Sequence, residues 1–194
     1  MNTPIDNLIL RELNSEDSSQ FFELIERNRA RLTDYFPQTI ATITSPETCD
    51  DYIDKKMKEV ADKDGFGFVL EDETDKLKGF ISVKNTDWTV PKCELAFFID
   101  KDHIGRGIMT VAISTIVAWC FDVLKMNKVY LITATNNHAS RRIAEKNGFE
   151  VEGILRDNFK LSSGILTDMA YYGILSKMED PTKKQLRQET NLHN

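Results

Sequence analysis

The chain has 194 residues, of which 41% are hydrophobic and 29% are charged, the composition of an ordinary globular domain. This length suits one domain, and the apolar share is large enough for a core, which excludes a wholly disordered chain. Lysine and arginine total 25 against 31 aspartate and glutamate residues. The net charge of −6 therefore disfavours a nucleic-acid partner and suits a cationic one.

The sequence also constrains the compartment and the cofactor class. Its longest uncharged run, Gly107 to Phe121, has fifteen residues, short of the ~20 that a membrane helix needs. Met1 to Asp6 shows no basic region followed by an apolar stretch, so no secretory signal is predicted. The three cysteines are an odd number, which favours reduced thiols, and no Cys/His pair has zinc-ligand spacing. We therefore expect a cytoplasmic protein with no membrane partner and no metal.

Strand and helix patterns alternate along the chain. The first part of the chain predicts a strand at 8–12, a helix capped by Asn14 and ended by Tyr35-Phe36-Pro37, and a helix from Ser45-Pro46. A hairpin of strands 66–71 and 77–85, a loop at 85–91, a strand at 93–99 and a glycine loop at 100–107 are predicted to follow. The last part predicts a helix at 108–125, a strand at 129–134, a helix at 137–147 and a final hairpin of strands 151–155 and 168–175. This order predicts a mixed α/β (α+β) sheet with one right-handed parallel crossover around helix 108–125. We expect residues 1–178 to form the domain and residues 179–194 a polar tail.

A loop with two glycines precedes the most apolar helix. Gly105 and Gly107 allow backbone N–H groups to turn toward one point, and the helix N-terminus adds partial positive charge. Arg106 can add a charge-assisted contact. The pattern suits a phosphate or pyrophosphate and equally suits a plain tight turn. It is neither a Walker loop nor a dinucleotide-binding fingerprint.

Several spaced motifs resemble the GCN5-related N-acetyltransferase (GNAT) superfamily, and more narrowly its Rim-type branch, which acetylates the N-termini of ribosomal proteins. They are Asn85-x-Asp87-Trp88, Glu94 to Ile99, Gly105 to Thr110, Asn137-x-x-Ser140 to Phe149, Glu152 to Arg156 and Asp168 to Tyr172. The resemblance covers about residues 5 to 178. It implies a single GNAT-like α/β domain with a mostly antiparallel sheet of about seven strands, helices on both faces, and a V-shaped splay between the parallel strands 93–99 and 129–134.

The resemblance further implies acetyl-CoA as the cosubstrate. The implied cofactor-binding residues are Phe97, Phe98 and Ile99 along the pantetheine arm, Gly105, Arg106, Gly107, Ile108, Met109 and Thr110 around the pyrophosphate, and Asn137 and Ser140 near the arm and thiol. A backbone N–H between Phe97 and Ile99 is the implied oxyanion donor. Many members have a tyrosine as general acid where this chain has Ala144. Ser140 is the nearest candidate in its place, and a water molecule is the alternative.

Acetyl transfer needs a neutral amine, so a carboxylate near the cleft is required as a proton acceptor unless solvent serves. Glu94 is the candidate because it lies in an apolar strand beside the implied acetyl site; its other interpretation is an ordinary edge-facing acid. By the same resemblance, Tyr35 and Phe36 form one wall of the acceptor pocket, with helix-end packing as the alternative. Trp88 is a further wall candidate, or equally a rim or core tryptophan.

These residues predict an acetyl-CoA-dependent N-acetyltransferase whose acceptor is a primary amine. The N-terminal α-amine of a protein, such as a ribosomal protein, is one acceptor class. A polyamine, an aminoglycoside or an amino acid is another, and a noncatalytic CoA-binding module is the alternative from a different class. Monomer and homodimer both stay open at this point.

Overall fold

The computed structural model describes residues 1–177, and within them eight strands form one sheet flanked by five α-helices. The strands are β1 (Asn2–Ile5), β2 (Leu8–Glu12), β3 (Phe66–Asp72), β4 (Leu77–Asp87), β5 (Lys92–Ile99), β6 (Lys128–Ala134), β7 (Glu150–Lys160) and β8 (Leu166–Leu175). The helices are α1 (Ser18–Leu32), α2 (Pro37–Thr42), α3 (Pro46–Ala61), α4 (Ile108–Asp122) and α5 (His138–Lys146). The predicted tail at 179–194 lies outside the described residues.

The sheet is mixed and mostly antiparallel. Its strand order is β1-β2-β3-β4-β5-β6-β8-β7. Neighbouring strands run antiparallel except β5 and β6, which are parallel and connected through α4. The predicted fold class is therefore confirmed, with eight strands where about seven were expected.

Capping residues fix where the first and third helices begin. Asn14 accepts the N–H of Glu16 at 2.8 Å, and the Asp17 carboxylate accepts the N–H of Asn14, which closes a capping box ahead of α1. Ser45 and Thr48 form a second capping box, and Pro46 occupies the first helical position of α3. Both helix starts follow from local sequence alone.

The sheet has a hydrophobic core on each face. In β3, Phe68 and Leu70 belong to the core beneath α4, whereas Val69 belongs to the core beneath α1 and α3. Alternate strand residues point to opposite faces, so one strand supplies both cores. Helix α4 buries seven of its fifteen residues. The helices therefore lie on both faces, as expected.

The two parallel strands separate along their length. β5 and β6 pair only where Lys92–Glu94 lies beside Lys128–Tyr130. Beyond that point β5 stays paired with β4, and β6 stays paired with β8. Within residues 1–177 the facing edges of the two strands thus diverge, and backbone groups in the gap remain free for a ligand.

Two elements of the fold were not predicted. β1 forms because Asn2 to Ile5 pairs antiparallel with β2, although this polar segment shows no alternation of its own. α2 begins at Pro37, which had been predicted to end the preceding helix. Proline is favoured at the first position of a helix, so Pro37 starts a new helix after α1 has stopped at Leu32.

Several predicted boundaries were wrong. β4 continues to Asp87, into the loop predicted at 85–91, and β8 begins at Leu166 instead of Asp168. The apolar run from Ile108 predicted a helix to Lys125, but α4 ends at Asp122. β7 continues to Lys160 instead of ending at Leu155, because it resumes pairing with β8 after an irregularity between Leu155 and Phe159. The left-handed φ of 51° at Asp157 marks that irregularity.

Candidate active site

A cavity of about 360 Å³ occupies the gap between β5 and β6. Its lining on the two strands is Glu94, Leu95, Ala96 and Phe97 of β5, and Leu131, Ile132, Thr133 and Ala134 of β6. The hairpin of β7 and β8 closes one side, and the segment before α2 closes another. The splay predicted from the resemblance is therefore present and holds a cavity.

The glycine loop lies between β5 and α4. Gly105 and Gly107 have left-handed φ values of 82° and 79°. A residue with a side chain would be strained at these values, whereas glycine is not. A β-carbon built on either glycine would meet no atom within 4 Å, so the space above the loop is open. Arg106 is exposed there, whereas the side chains of Ile108 and Met109 are buried.

The N-terminus of α4 has the character of an anion site. Gly107 is the N-cap of α4 and offers no side-chain hydrogen bond to the first turn. The N–H groups of Ile108, Met109 and Thr110 therefore carry the partial positive charge of the helix end without a side-chain cap. Within the loop, burial first and the charge of Arg106 second lower the pKa of His103 below its usual value.

A buried polar cluster anchors the start of this loop to α1. Asp100 is buried, forms an ion pair with Arg27 at 3.1 Å, and accepts from Asn28 at 3.4 Å. Asn28 in turn accepts the N–H of Lys101 at 3.0 Å. The carboxylate and amide therefore hold the chain at the point where β5 becomes the glycine loop.

Glu94 lies at the point where β5 and β6 separate. Its side chain is buried, with 7% of the residue exposed. One carboxylate oxygen accepts from Asn85 at 2.7 Å, and the other forms an ion pair with Lys84 at 3.1 Å. Burial first and the charge of Glu94 second raise the pKa of neighbouring Tyr130. Glu94 is thus a carboxylate in contact with an ammonium group at the cavity wall.

The α5 end of the cavity presents Asn137 and Ser140, which both line it. Asn137 caps α5, and its side-chain oxygen accepts the N–H of Ser140 at 3.2 Å. The capping bond explains why Asn137 precedes this helix. Ala144, where many family members have tyrosine, is fully buried in the core beneath α4.

Tyr35 and Phe36 line the cavity opposite α5. Phe36 stacks edge-to-face on Phe98, with ring centroids 5.3 Å apart. Phe98 therefore points its ring into the core under α1 and α3, and only its backbone is available to a cofactor. Nearby, Asp34 accepts the N–H of Ser162 at 3.0 Å, which ties the segment before α2 to the β7–β8 turn.

Trp88 does not line the cavity between β5 and β6. Its indole N–H donates to the carbonyl of Lys63 at 3.1 Å, and 46% of the residue is exposed. The tryptophan covers the turn after α3, on the rim of the fold. Of the three predicted wall residues, the structure therefore gathers Tyr35 and Phe36 and leaves Trp88 outside.

A second, wider cavity of about 860 Å³ opens between β4 and α3. It shares Phe36, Gln38, Thr39, Lys84 and Ala96 with the first cavity, so the two are adjacent. Acidic Asp51, Glu59 and Asp64 and basic Lys55 and Lys56 line it. Lys56 is neutralised by Glu59 at 2.6 Å. Lys84 and Asn85, the two residues that contact the Glu94 carboxylate, also line this second cavity.

Several cavity residues were missed from sequence. Lys84 directly follows the apolar run of β4, and its position beside Glu94 depends on the pairing of β4 with β5. Tyr171 and Phe159 reach the cavity from β8 and β7, which lie far along the chain. Side chains alternate between the two faces of a strand, so Met169 and Tyr171 lie on one face of β8. This alternation is the sequence feature that could have identified them as cavity residues.

The part of the chain that the structure describes holds no group of three or more metal-ligating side chains. No helix within residues 1–177 is long and apolar enough to cross a membrane.

Comparison with known proteins gives one consistent family. Residues 7–150 match the model of the acetyltransferase (GNAT) domain. A relative named as a ribosomal N-acetyltransferase, YdaF of Bacillus subtilis, is 30% identical over 177 residues, covering 89% of this chain and 93% of that protein.

Two solved structures show the same fold. The ribosomal-protein-S5-alanine acetyltransferase of Vibrio fischeri superposes with a TM-score of 0.86 at 19% identity, covering 92% of this chain and 98% of that one. The spermidine N-acetyltransferase of Vibrio cholerae, in complex with CoA and spermine, has a TM-score of 0.72 at 26% identity, covering 87% of this chain and 95% of that one. The chain therefore belongs to the acetyltransferase (GNAT) family and is an acetyl-CoA-dependent N-acetyltransferase.

Proposed function

We propose that this enzyme acetylates the N-terminal α-amine of a protein at the junction of its two cavities. The observation that carries the proposal is the position of Glu94, at the divergence of β5 and β6 and beside Lys84, which lines both cavities. The donor then enters from the glycine loop and the acceptor from the α3 side. The similarity to YdaF and to the Vibrio fischeri enzyme supports a ribosomal protein as the acceptor.

The residues around the first cavity fit acetyl-CoA. The pyrophosphate lies over Gly105, Arg106 and Gly107 on the N–H groups of the first turn of α4, since the space above both glycines is open. The pantetheine arm follows the backbone of Phe97 to Ile99, whose edge toward β6 has no strand partner within residues 1–177. Asn137 and Ser140 border the thiol end.

Each step of the transfer has a named group in the cavity. Glu94 accepts the proton of the incoming ammonium, directly or through one water molecule. A backbone N–H between Phe97 and Ile99 donates to the carbonyl oxygen as charge develops on it. Ser140, or Tyr171 on the facing strand, donates a proton to the departing thiolate; both side chains line the cavity. The three buried free cysteines fit a reducing, cytoplasmic location.

A polyamine is the second candidate acceptor. Asp51, Glu59 and Asp64 line the second cavity, and the Vibrio cholerae spermidine enzyme resembles this chain in sequence and fold. Repeated carboxylates along a groove suit a chain with several ammonium groups. The partly compensating Lys55 and Lys56 favour the peptide, whose backbone carries no net charge.

One experiment decides between these acceptors and a noncatalytic CoA-binding module. Purified protein is incubated with acetyl-CoA and, in separate reactions, N-terminal peptides of ribosomal proteins, spermidine, an aminoglycoside or free amino acids. Products are identified by mass spectrometry, with Glu94→Gln as the matched control. We expect α-N-acetylated peptide as the main product. Faster acetylation of spermidine would replace the first proposal by the second, and no product from any amine would contradict both.

A further inference from the structure

An ammonium group of the chain itself lies where the acceptor amine is proposed to bind. Lys84 of β4 and Glu94 of β5 are opposite one another in the sheet register, and Lys84 Nζ is 3.1 Å from Glu94 Oε1. Lys84 also lines both cavities. We propose that the enzyme acetylates its own Lys84 on Nζ, with Glu94 as the proton acceptor, when no other amine occupies the site. This inference rests on the proposed function.

Lys84 is the amine that shares the first cavity with the proposed donor. Within residues 1–177 it is the only lysine side chain that lines this cavity. The other side chains there that could accept an acetyl group are hydroxyls, such as those of Ser140 and Tyr171. An amine attacks a thioester more readily than a neutral hydroxyl does, and an adjacent base activates it further. The chemistry of the lining therefore selects Lys84.

The lysine can move while the base stays in place. The Lys84 side chain is 41% exposed, whereas that of Glu94 is 9% exposed. Glu94 is held in addition by Asn85, whose side-chain N–H donates to it at 2.7 Å. A lysine carries its ammonium on a flexible four-carbon stem. Rotation about this stem carries Nζ from Glu94 toward the thiol end of the first cavity, which Asn137 and Ser140 border.

The step is an acyl transfer in which no oxidant or reductant takes part. Lys84 gives one ammonium proton to Glu94, and the freed electron pair on nitrogen forms the bond to the thioester carbonyl carbon. The carbon–sulfur bond breaks with its electron pair on sulfur, and a second nitrogen proton passes to that sulfur. The products are acetylated Lys84 and the CoA thiol, and Glu94 returns its proton to solvent. Amine and thioester share one cavity, so no encounter between protein molecules is needed.

The nearby lysines each lack one of these conditions. Lys55 and Lys56 line the second cavity and not the first, and Lys56 is held by Glu59 at 2.6 Å. Lys92 is also 41% exposed, but it pairs with Asp87 at 3.7 Å and lines neither cavity. Lys92 is therefore a matched internal control for the intrinsic reactivity of an exposed lysine.

The modification changes the site that produces it. Acetylation makes Nζ neutral and removes its ion pair with Glu94. The carboxylate then keeps its hydrogen bond from Asn85. A cationic acceptor that enters afterwards no longer competes with a resident ammonium group for Glu94.

Intact-mass spectrometry of the full chain, incubated with saturating acetyl-CoA and no acceptor, tests the proposal. We expect the mass to rise by one acetyl group, which peptide mapping locates on Lys84. The half-time should not depend on protein concentration, because the reaction is intramolecular. Lys84→Arg should abolish the modification at this position, and Lys92→Arg should leave it unchanged. Glu94→Gln should slow it by ~10²-fold or more.

Acetylation of Lys84 no faster than that of Lys92, or equally fast in Glu94→Gln, would overturn the proposal. Parallel samples that also contain N-terminal peptides or spermidine separate this failure from a failure of the proposed function. Acetylated peptide or spermidine without modified Lys84 in the acceptor-free sample would overturn self-acetylation alone. Modified Lys84 with no acetylated amine would support self-acetylation and contradict the proposed acceptors. No acetyl transfer to any amine would overturn both.

Discussion

Glu94 illustrates how much a single residue depends on its partners. Its carboxylate is held from two sides, by Asn85 and by Lys84, so it faces the cavity in one orientation. A fixed carboxylate is suited to receive a proton from an amine, since geometry precedes basicity in acid–base catalysis. Substitutions at Glu94 and at its contact residues can therefore test the orientation of the carboxylate and its basicity separately.

Glu94→Gln keeps the size of the side chain and its hydrogen bond from Asn85 but removes its basicity. We expect turnover to fall by ~10²-fold or more, the usual range for loss of a general base, with acetyl-CoA affinity unchanged. The deficit should shrink at high pH, where more amine is neutral. It should also be smaller for an α-amine, with a pKa near ~8, than for an alkyl amine near ~10.4.

Initial rates of both enzymes from about pH 6 to 10, with one α-amine and one alkyl amine, measure these differences. Equal rates for wild type and variant across the range would remove Glu94 from the mechanism. The site would then act by holding amine and thioester together while solvent takes the proton.

Lys84 presents an ammonium group where the substrate amine is expected to bind. An incoming ammonium must displace Lys84 from Glu94, so Lys84→Met should lower the KM for a cationic acceptor several-fold. Lys92→Met is the matched control, because Lys92 is also 41% exposed, lies on the neighbouring strand and pairs with Asp87, away from the cavity. A higher KM in Lys84→Met than in Lys92→Met would show that Lys84 binds the acceptor itself.

At the element scale, the glycine loop combines backbone strain with ligand access. Gly107→Ala introduces a β-carbon at a left-handed φ, costing roughly 1–2 kcal/mol, and places it where the pyrophosphate must approach. Gly164→Ala, at a φ of 86° in the β7–β8 turn, has the same strain far from the loop. We expect both variants to lose similar stability in urea unfolding. Calorimetry should show weakened acetyl-CoA binding in Gly107→Ala only, and equal affinity in both would remove the loop from the cofactor site.

The contact between α1 and the end of β5 is a second element-scale feature. Asp100→Ala leaves Arg27 without its buried partner and removes one of the hydrogen-bond partners of the Asn28 side chain. We expect a loss of about 1–3 kcal/mol in the free energy of unfolding, because buried polar groups become unsatisfied. Asp102→Ala, in the same loop but exposed, should change stability little. Equal unfolding midpoints for the two variants would contradict the anchoring role of Asp100.

On the scale of the whole molecule, the proposed donor site combines consecutive elements from β5 to α5. Residues of β5, β6 and α5 line the first cavity, and the glycine loop with the first turn of α4 is the proposed position of the pyrophosphate. Acetyl-CoA at ~100 times its dissociation constant should therefore stabilise the fold by about 2.7 kcal/mol. Thermal unfolding with acetyl-CoA, with CoA and with pantetheine, which lacks the pyrophosphate, measures this. An absence of any shift with millimolar CoA would count against the site, and pantetheine should give the smallest shift.

Local sequence was sufficient for much of the fold. The capping boxes at Asn14 and Ser45, the glycines of the loop and the apolar run of α4 each act within a few residues, so their structures could be predicted. β1 could not be, because its strand conformation depends on pairing with β2. The second half of β7 depends likewise on β8, across a left-handed Asp157 that no periodicity reveals.

By itself, the sequence determined the glycine loop, the candidate base Glu94 and the family, since these rest on residue types at fixed short spacings. Only the tertiary structure decided what surrounds them. It brought Lys84 and Asn85 against Glu94, moved Tyr171 and Phe159 into the cavity, and left Trp88 outside. The physical reason is that these contacts join strands distant in sequence, whose register is set by the burial of both sheet faces.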